Sequence, residues 1–233
     1  MDVIGRISKP PIFPDAPVID PIANSQNLRE KKNKALGMLS ILRTTANAKT
    51  LAMMHTTLFG TVYIYQGQEI GMINLPKDWP LEEWKDVRTL NCVAELMQRL
   101  GITGQEAILK VCDKARDNAR SPVQWTDQKN GGFSNARPWM RVSEDYIVCN
   151  VASQVNNPES VMSFWKEMFG LRKDMADGLR CIALNFSDRK VTYHVPRRAA
   201  GATFVKATTE DPMKTLEKDE IELQPYRGVI YHL

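Results

Sequence analysis

An apolar run of five residues, Thr61-Val62-Tyr63-Ile64-Tyr65, follows a long stretch with helical spacing, and no other feature narrows the fold so far. From about Leu28 to Leu58 no proline intervenes. Leu36, Leu39 and Leu42, then Leu51, Met54 and Leu58, recur every three or four residues, which predicts helix, and Gly60 supplies a stop. The run after it is β-branched and aromatic throughout, the pattern of a strand buried on both faces of a parallel sheet. A helix leading directly into such a strand predicts an α/β architecture. In parallel sheets, ligand sites gather beyond the carboxyl ends of the strands, where Gln66, Gln68 and Glu69 stand among Gly67 and Gly71. This cluster reads either as part of a pocket or as a polar loop network in which Glu69 pairs with an arginine.

Elsewhere the chain alternates between punctuated and periodic stretches. Pro10, Pro11, Pro14, Pro17 and Pro21 mark residues 1 to 26 as extended or loop. Residues 79 to 101 read as helix, as do Gly104 to Lys114. Residues 116 to 142, rich in Gly and Pro and seeded with Trp125, Phe133 and Trp139, predict a long ordered loop. Val161, Trp165, Met168 and Leu171 form one stripe of a helix over 160 to 173, with Ser160 as its N-cap. Beyond about residue 178 the spacing shortens to the β-rich segments CIALNFS, VTYHVP, ATFVKAT and GVIYHL, which predict a small antiparallel module.

Composition removes several classes of function. The chain has 233 residues with 43% hydrophobic content, enough for a packed core. Its 31 basic and 27 acidic side chains leave a net charge of +4 with no long basic run, so nucleic acid is not an expected partner. Cys92, Cys112, Cys149 and Cys181 are widely separated and the histidines are not clustered, so four reduced thiols are expected, with no metal site and no cofactor. The first residues lack a signal-peptide core and no window reaches the ~20 apolar residues of a membrane span, so a soluble, cytoplasmic protein is expected.

Few residues suggest chemistry by pattern alone. Arg116 and Arg120, with Asp117 between them, present two fixed cations and a carboxylate that could orient a polyhydroxylated or anionic ligand, or form a surface salt-bridge network. Trp125, Phe133 and Trp139 could stack on sugar faces or pin the loop to the core. His55, His194 and His232 receive no catalytic role.

Taken together, AKTLAMMHTTLFGTVYIYQGQEIGM, RDNARSPVQWTDQKNGGFS with ARPWMRV, PESVMSFWKEMFGLRK, ALNFS and LQPYRGVIYHL, in that order, resemble the C-terminal half of fungal and bacterial α-glucosidases of the α-amylase family, the maltase and oligo-1,6-glucosidase group. The resemblance implies an α/β fold, an incomplete (β/α)₈ TIM-type barrel over 1–177 followed by a small antiparallel β-sandwich domain over 178–233. Residues 61 to 65 would be the last barrel strand. MDVIGRISKPPIFPDAPVIDP is similar to the segment after the fourth barrel strand, which makes Asp2 the expected catalytic nucleophile. Val3 corresponds to a position associated with α-1,6 preference. Arg120 resembles the arginine that holds the terminal glucose, Arg116 and Asp117 would brace its loop, and Gln66, Gln68 and Glu69 would support the sugar site from below. The implied partners are α-linked glucose oligosaccharides, with no nucleic acid and no membrane.

The implied reaction is retaining hydrolysis of terminal α-1,4 or α-1,6 glucosidic bonds. A carboxylate attacks the anomeric carbon while a carboxylic acid about 5 to 5.5 Å away protonates the leaving oxygen. The family's GE segment, which carries that acid, and its NHD segment, which carries a third essential Asp, are absent from the sequence; only a short stretch separates Asp20 from Ala48, where several barrel units would be threaded. Glu30, Glu69, Glu82, Glu83 and Glu106 are the nearer glutamates, and none is expected to replace the acid. The expectation is a truncated, inactive form; the alternative is a non-catalytic, partner-binding remnant that associates through exposed barrel edges.

Overall fold

The computed structural model describes residues 45–174, 180–195, 201–209 and 220–233. Helix α1 spans Thr45–Thr57. Ala48, Ala52 and Met53 face its core cluster; of the expected Leu51, Met54, Leu58 stripe Leu51 is buried, whereas Met54 is half-buried and Leu58 is exposed. Small residues there let the helix lie close against α5, Val161–Asp174, whose Val161, Phe164, Trp165 and Met168 complete one core cluster. The stripe expected on α5 is therefore its core face, and Ser160 Oγ accepts from the Ser163 amide at 3.1 Å as its N-cap. Leu36, Leu39, Leu42 and the proline-rich start fall outside the described residues, as does the expected boundary near residue 178.

Residues 61–65 differ from the expectation. Among the described residues they join no β-ladder, and Tyr63 is 82% exposed. A strand needs a paired neighbour to satisfy its amides, and among the described residues no parallel strand lies beside this segment. The preceding turn is fixed instead by Arg172 of α5, whose guanidinium donates to the carbonyls of Thr56, Leu58 and Gly60. That fork satisfies carbonyls left open at the end of α1.

The helix expected over 79–101 begins later. Residues Leu81–Glu83 form a single 3₁₀ turn, Trp84 returns to extended backbone, and α2 runs Val87–Leu100 from its N-cap Asp86. Gly101, at φ 62°, ends it. Helix α3, Gly104–Val111, starts from a capping box in which the Thr103 amide donates to Glu106 at 2.8 Å and the Glu106 amide to the Thr103 hydroxyl at 3.3 Å. Leu75, Trp79, Trp84, Val93, Leu96, Ile108 and Met140 pack into a second cluster.

Residues 116–142 form the expected long loop, built of 3₁₀ turns at Arg116–Ala119 and Lys129–Gly132. Met140 and Val142, not the large aromatics, tie it to the interior: Trp125, Phe133 and Trp139 are 49%, 49% and 63% exposed. The short α4, Val151–Gln154, follows.

The C-terminal residues form two antiparallel sheets. Strands β1 (Arg180–Leu184), β5 (Gly228–His232) and β3 (Thr203–Ala207) make one in the order β1-β5-β3; β2 (Val191–His194) pairs with β4 (Glu220–Leu223) in the other. Strand β4, sequence EIEL, was not among the expected segments although its period of two is clear: Ile221 and Leu223 are buried while Glu220 and Glu222 face His194 and Lys190. Strand β5 serves two cores. Val229 and Tyr231 enter the cluster shared by both sheets, whereas Ile230 points into the α1–α5 cluster. The Thr50 hydroxyl adds a bond to the Tyr226 carbonyl at 2.6 Å. No helix among the described residues is long and apolar enough to cross a membrane.

Candidate functional site

The turn Arg116–Ala119 is fastened by its own side chains. Asp117 is fully buried, and its Oδ2 accepts the amides of Lys85 at 2.7 Å and Asp86 at 2.8 Å. Asn118 accepts the Leu75 amide at 3.1 Å and donates to the Cys112 carbonyl at 2.8 Å. The Tyr65 hydroxyl donates to the Ala119 carbonyl at 2.6 Å. A single short turn thus holds four other segments, and a carboxylate accepting two amides is a strong anchor. The second oxygen of Asp117 lies 3.6 Å from Arg120 Nη1, which restrains a guanidinium that remains partly exposed.

The 66–71 loop stands on the other side of the Tyr65 bond. Residues Gln68–Ile70 form one 3₁₀ turn between Gly67 at φ 86° and Gly71 at φ 75°. A Cβ on Gly67 would stand 2.5 Å from Met72 Sδ, so both its backbone conformation and its surroundings favour glycine. Gln68 Oε1 accepts the Tyr65 amide at 3.2 Å, and its amide nitrogen lies 3.4 Å from His55 Nδ1. Burial holds the His55 imidazole below its usual pKa, so near neutral pH its uncharged Nδ1 accepts from Gln68. Gln66 is exposed, and neither Gln66 nor Glu69 makes a side-chain hydrogen bond or ion pair among the described residues. Glu69 therefore has no arginine partner there.

A cleft of about 510 Å³ opens beside the turn, lined by Lys85, Asp86, Val87, Arg88, Asn91, Cys92, Glu95, Arg116 and Arg120. Burial works to raise the Asp86 carboxyl. Hydrogen bonds from the Thr89 side chain and from the Arg116 and Thr89 backbones, with the Arg116 charge, outweigh it and hold the pKa below the ordinary value. Asp86 is thus ionised, with Thr89 Oγ1 at 2.7 Å.

The other glutamates do not resemble a proton donor. Glu106, exposed, is held below its usual pKa by the backbone and side-chain hydrogen bonds of Thr103, the opposite of what a general acid needs. Glu83 pairs with Arg137 at 3.3 Å, and Glu30 falls outside the described residues. No disulfide joins the cysteines; burial pushes Cys149 up to about 11 and also raises Cys112, so both are protonated and inert. Among the described residues no three His, Cys, Asp or Glu side chains gather as metal ligands.

The structure brings Arg116, Asp117 and Arg120 together and ties them to Gln68 through Tyr65. It leaves Gln66 and Glu69 at the loop surface, while Asp2 and Val3 lie outside the described residues. Sequence reasoning overlooked Lys85, Asp86 and Arg88, which complete the cleft. Their signal was the polar run Lys-Asp-Val-Arg just where α2 begins, obscured by a helix predicted to start earlier.

Comparison with known proteins adds the family. Residues 35–179 match the model of the alpha amylase catalytic domain. An alpha-glucosidase of Candida albicans is 40% identical over 154 residues, 62% of this chain and 27% of that protein. The oligo-1,6-glucosidase of Parageobacillus thermoglucosidasius is 41% identical over 213 residues, 80% of this chain and 38% of that protein. Among solved structures, the trehalulose synthase of Pseudomonas mesoacidophila MX-45 superposes with a TM-score of 0.73 at 26% identity, over 81% of this chain and 38% of that one. The chain thus spans well under half the length of these relatives. With a matched region that contains the Asp117-anchored turn, the 66–71 loop and the cleft, the chain belongs to the alpha-amylase family.

Proposed function

We propose that the described residues form part of an α-glucosidase-type site for α-linked glucose oligosaccharides, with Arg120 directed at a glucose unit and the 66–71 loop as its support. The observation that carries this reading is the Asp117-anchored turn, which restrains the partly exposed Arg120 guanidinium beside a loop reached through Tyr65. A restrained planar cation with several N–H donors suits vicinal hydroxyls. In this reading residues 1–177 are part of a (β/α)₈ barrel and 178–233 a β-sandwich domain. Asp2 is the nucleophile and Val3 bears on linkage preference.

Retaining hydrolysis needs a separate acid with a raised pKa, and the sequence as it stands contains no GE or NHD segment. The chain therefore binds without turnover. In calorimetry the full chain should bind maltose or isomaltose, and Arg120→Ala should weaken binding about tenfold, as expected for loss of a charged hydrogen bond. Hydrolysis of p-nitrophenyl α-glucoside above a buffer blank, abolished by Asp2→Asn, would overturn the inactive reading.

A second, non-catalytic reading is favoured by a different observation. Leu58, Phe59, Tyr63, Ile64 and Tyr65 are all exposed in one continuous segment, the kind of surface an associating partner covers. Concentration-dependent association that is lost on Tyr63→Glu would support it, whereas a monomer at all concentrations would end it.

A further inference from the structure

The cleft beside α2 collects more positive charge than its acids can balance. Lys85, Arg88, Arg116 and Arg120 line it, against Asp86 and Glu95. Both acids are already engaged: Asp86 accepts from Thr89 Oγ1 and from the Arg116 amide, and Glu95 pairs with Arg99 at 3.1 Å. Behind the cleft, Asp117 gives one oxygen to two backbone amides, and the other stands 3.6 Å from Arg120 Nη1 as an ion pair. The exposed Arg88 side chain makes no ion pair among the described residues. Like charges lining one concavity repel one another, and an anion seated there relieves that repulsion.

We propose that this cleft is a binding site for a phosphate-type oxyanion and that its occupancy competes with sugar for Arg120. Tetrahedral oxyanions fit because Arg88, Arg116 and Arg120 each present a planar fork that can grip two oxygens, while Lys85 adds a point charge. The amides just before α2 contribute nothing, since those of Lys85 and Asp86 are taken by Asp117; the site is made by side chains. Arg88 is the discriminating residue, because it holds no other structural bond and is separate from the proposed sugar contacts. Only the competition between the ligands rests on the reading of Arg120 as a sugar-binding residue.

The test titrates the full chain with inorganic phosphate by calorimetry at constant ionic strength set with chloride. Binding is expected, with the Kd raised at least tenfold in Arg88→Ala while the melting temperature stays within a degree or two. A Kd unchanged by Arg88→Ala, or absence of binding below the ionic-strength blank, overturns the site. Maltose is then added to saturation. A higher apparent phosphate Kd supports competition at Arg120, and bound maltose with an unchanged phosphate Kd overturns that part. Failure of maltose to bind sinks the sugar reading alone, because the Arg88-dependent phosphate isotherm does not require it. Glucose 6-phosphate in place of inorganic phosphate separates the sources: tighter binding assigns the anion to a phosphorylated sugar, and equal or weaker binding assigns it to the free ion.

Discussion

The Tyr65 hydroxyl and the Ala119 carbonyl, 54 residues apart in sequence, are joined at 2.6 Å, and this bond links the 66–71 loop to the turn that carries Arg120. Removing it with Tyr65→Phe keeps the ring and deletes only the donor. The loss should be about 1 kcal/mol of stability, read as a lower urea midpoint with an unchanged slope. Under the proposed function, maltose affinity should fall with it.

Asp117→Ala should be far more costly. It removes the buried acceptor of two amides and leaves the Arg116–Ala119 turn without its anchor. Hydrogen bonds to a buried charge and the groups they leave unsatisfied suggest about 3 kcal/mol or more. Asp117→Asn retains one acceptor and should recover part of that loss, which chemical denaturation of the two variants would show.

Gly67→Ala tests backbone and packing together. The residue sits at φ 86°, and the new methyl would meet Met72 Sδ. A destabilisation of about 1 to 3 kcal/mol is expected from the left-handed conformation alone. Combining it with Met72→Ala should relieve the steric share and leave the conformational share, so a double-mutant cycle should give a favourable coupling energy.

Acid sensitivity follows from His55. Its pKa in the folded chain is lowered by burial, so in acid the unfolded chain binds the proton more readily. Stability from this group is fully present above the ordinary histidine value of about 6.5 and is lost as pH falls below it toward the lowered folded value. His55→Gln should flatten the melting temperature over that interval. Asp86, also lowered, acts only in stronger acid, near and below the usual carboxylate range.

How much was legible in the sequence depended on whether a local pattern decided the outcome. The stripe Val161, Trp165, Met168 and Leu171 on α5 was readable because its first three members are buried in one core and Leu171 packs against it. The capping of α5 at Ser160 was equally local. The segment 61–65 was misread because its alphabet is that of a strand, while a ladder depends on neighbours that local sequence does not specify. Strand β4 was missed because two glutamates in four residues lower its apparent apolarity, although their alternation with Ile221 and Leu223 is the signal of a half-buried strand. Of the site, the pattern indicated Arg116, Asp117 and Arg120. It could not indicate that Asp117 reaches back to the amides of Lys85 and Asp86, since that bond exists only after the chain has turned.

Strand β5 sends Val229 and Tyr231 to one side and Ile230 to the other, into the cluster that also holds Met53 and Trp165. Neither side can melt without stripping apolar cover from the other, so the sheets and the α1–α5 pair should lose structure in one cooperative step. In hydrogen exchange, the amides of β5 should be among the slowest in the chain, and their rate should report the global unfolding free energy rather than a local opening.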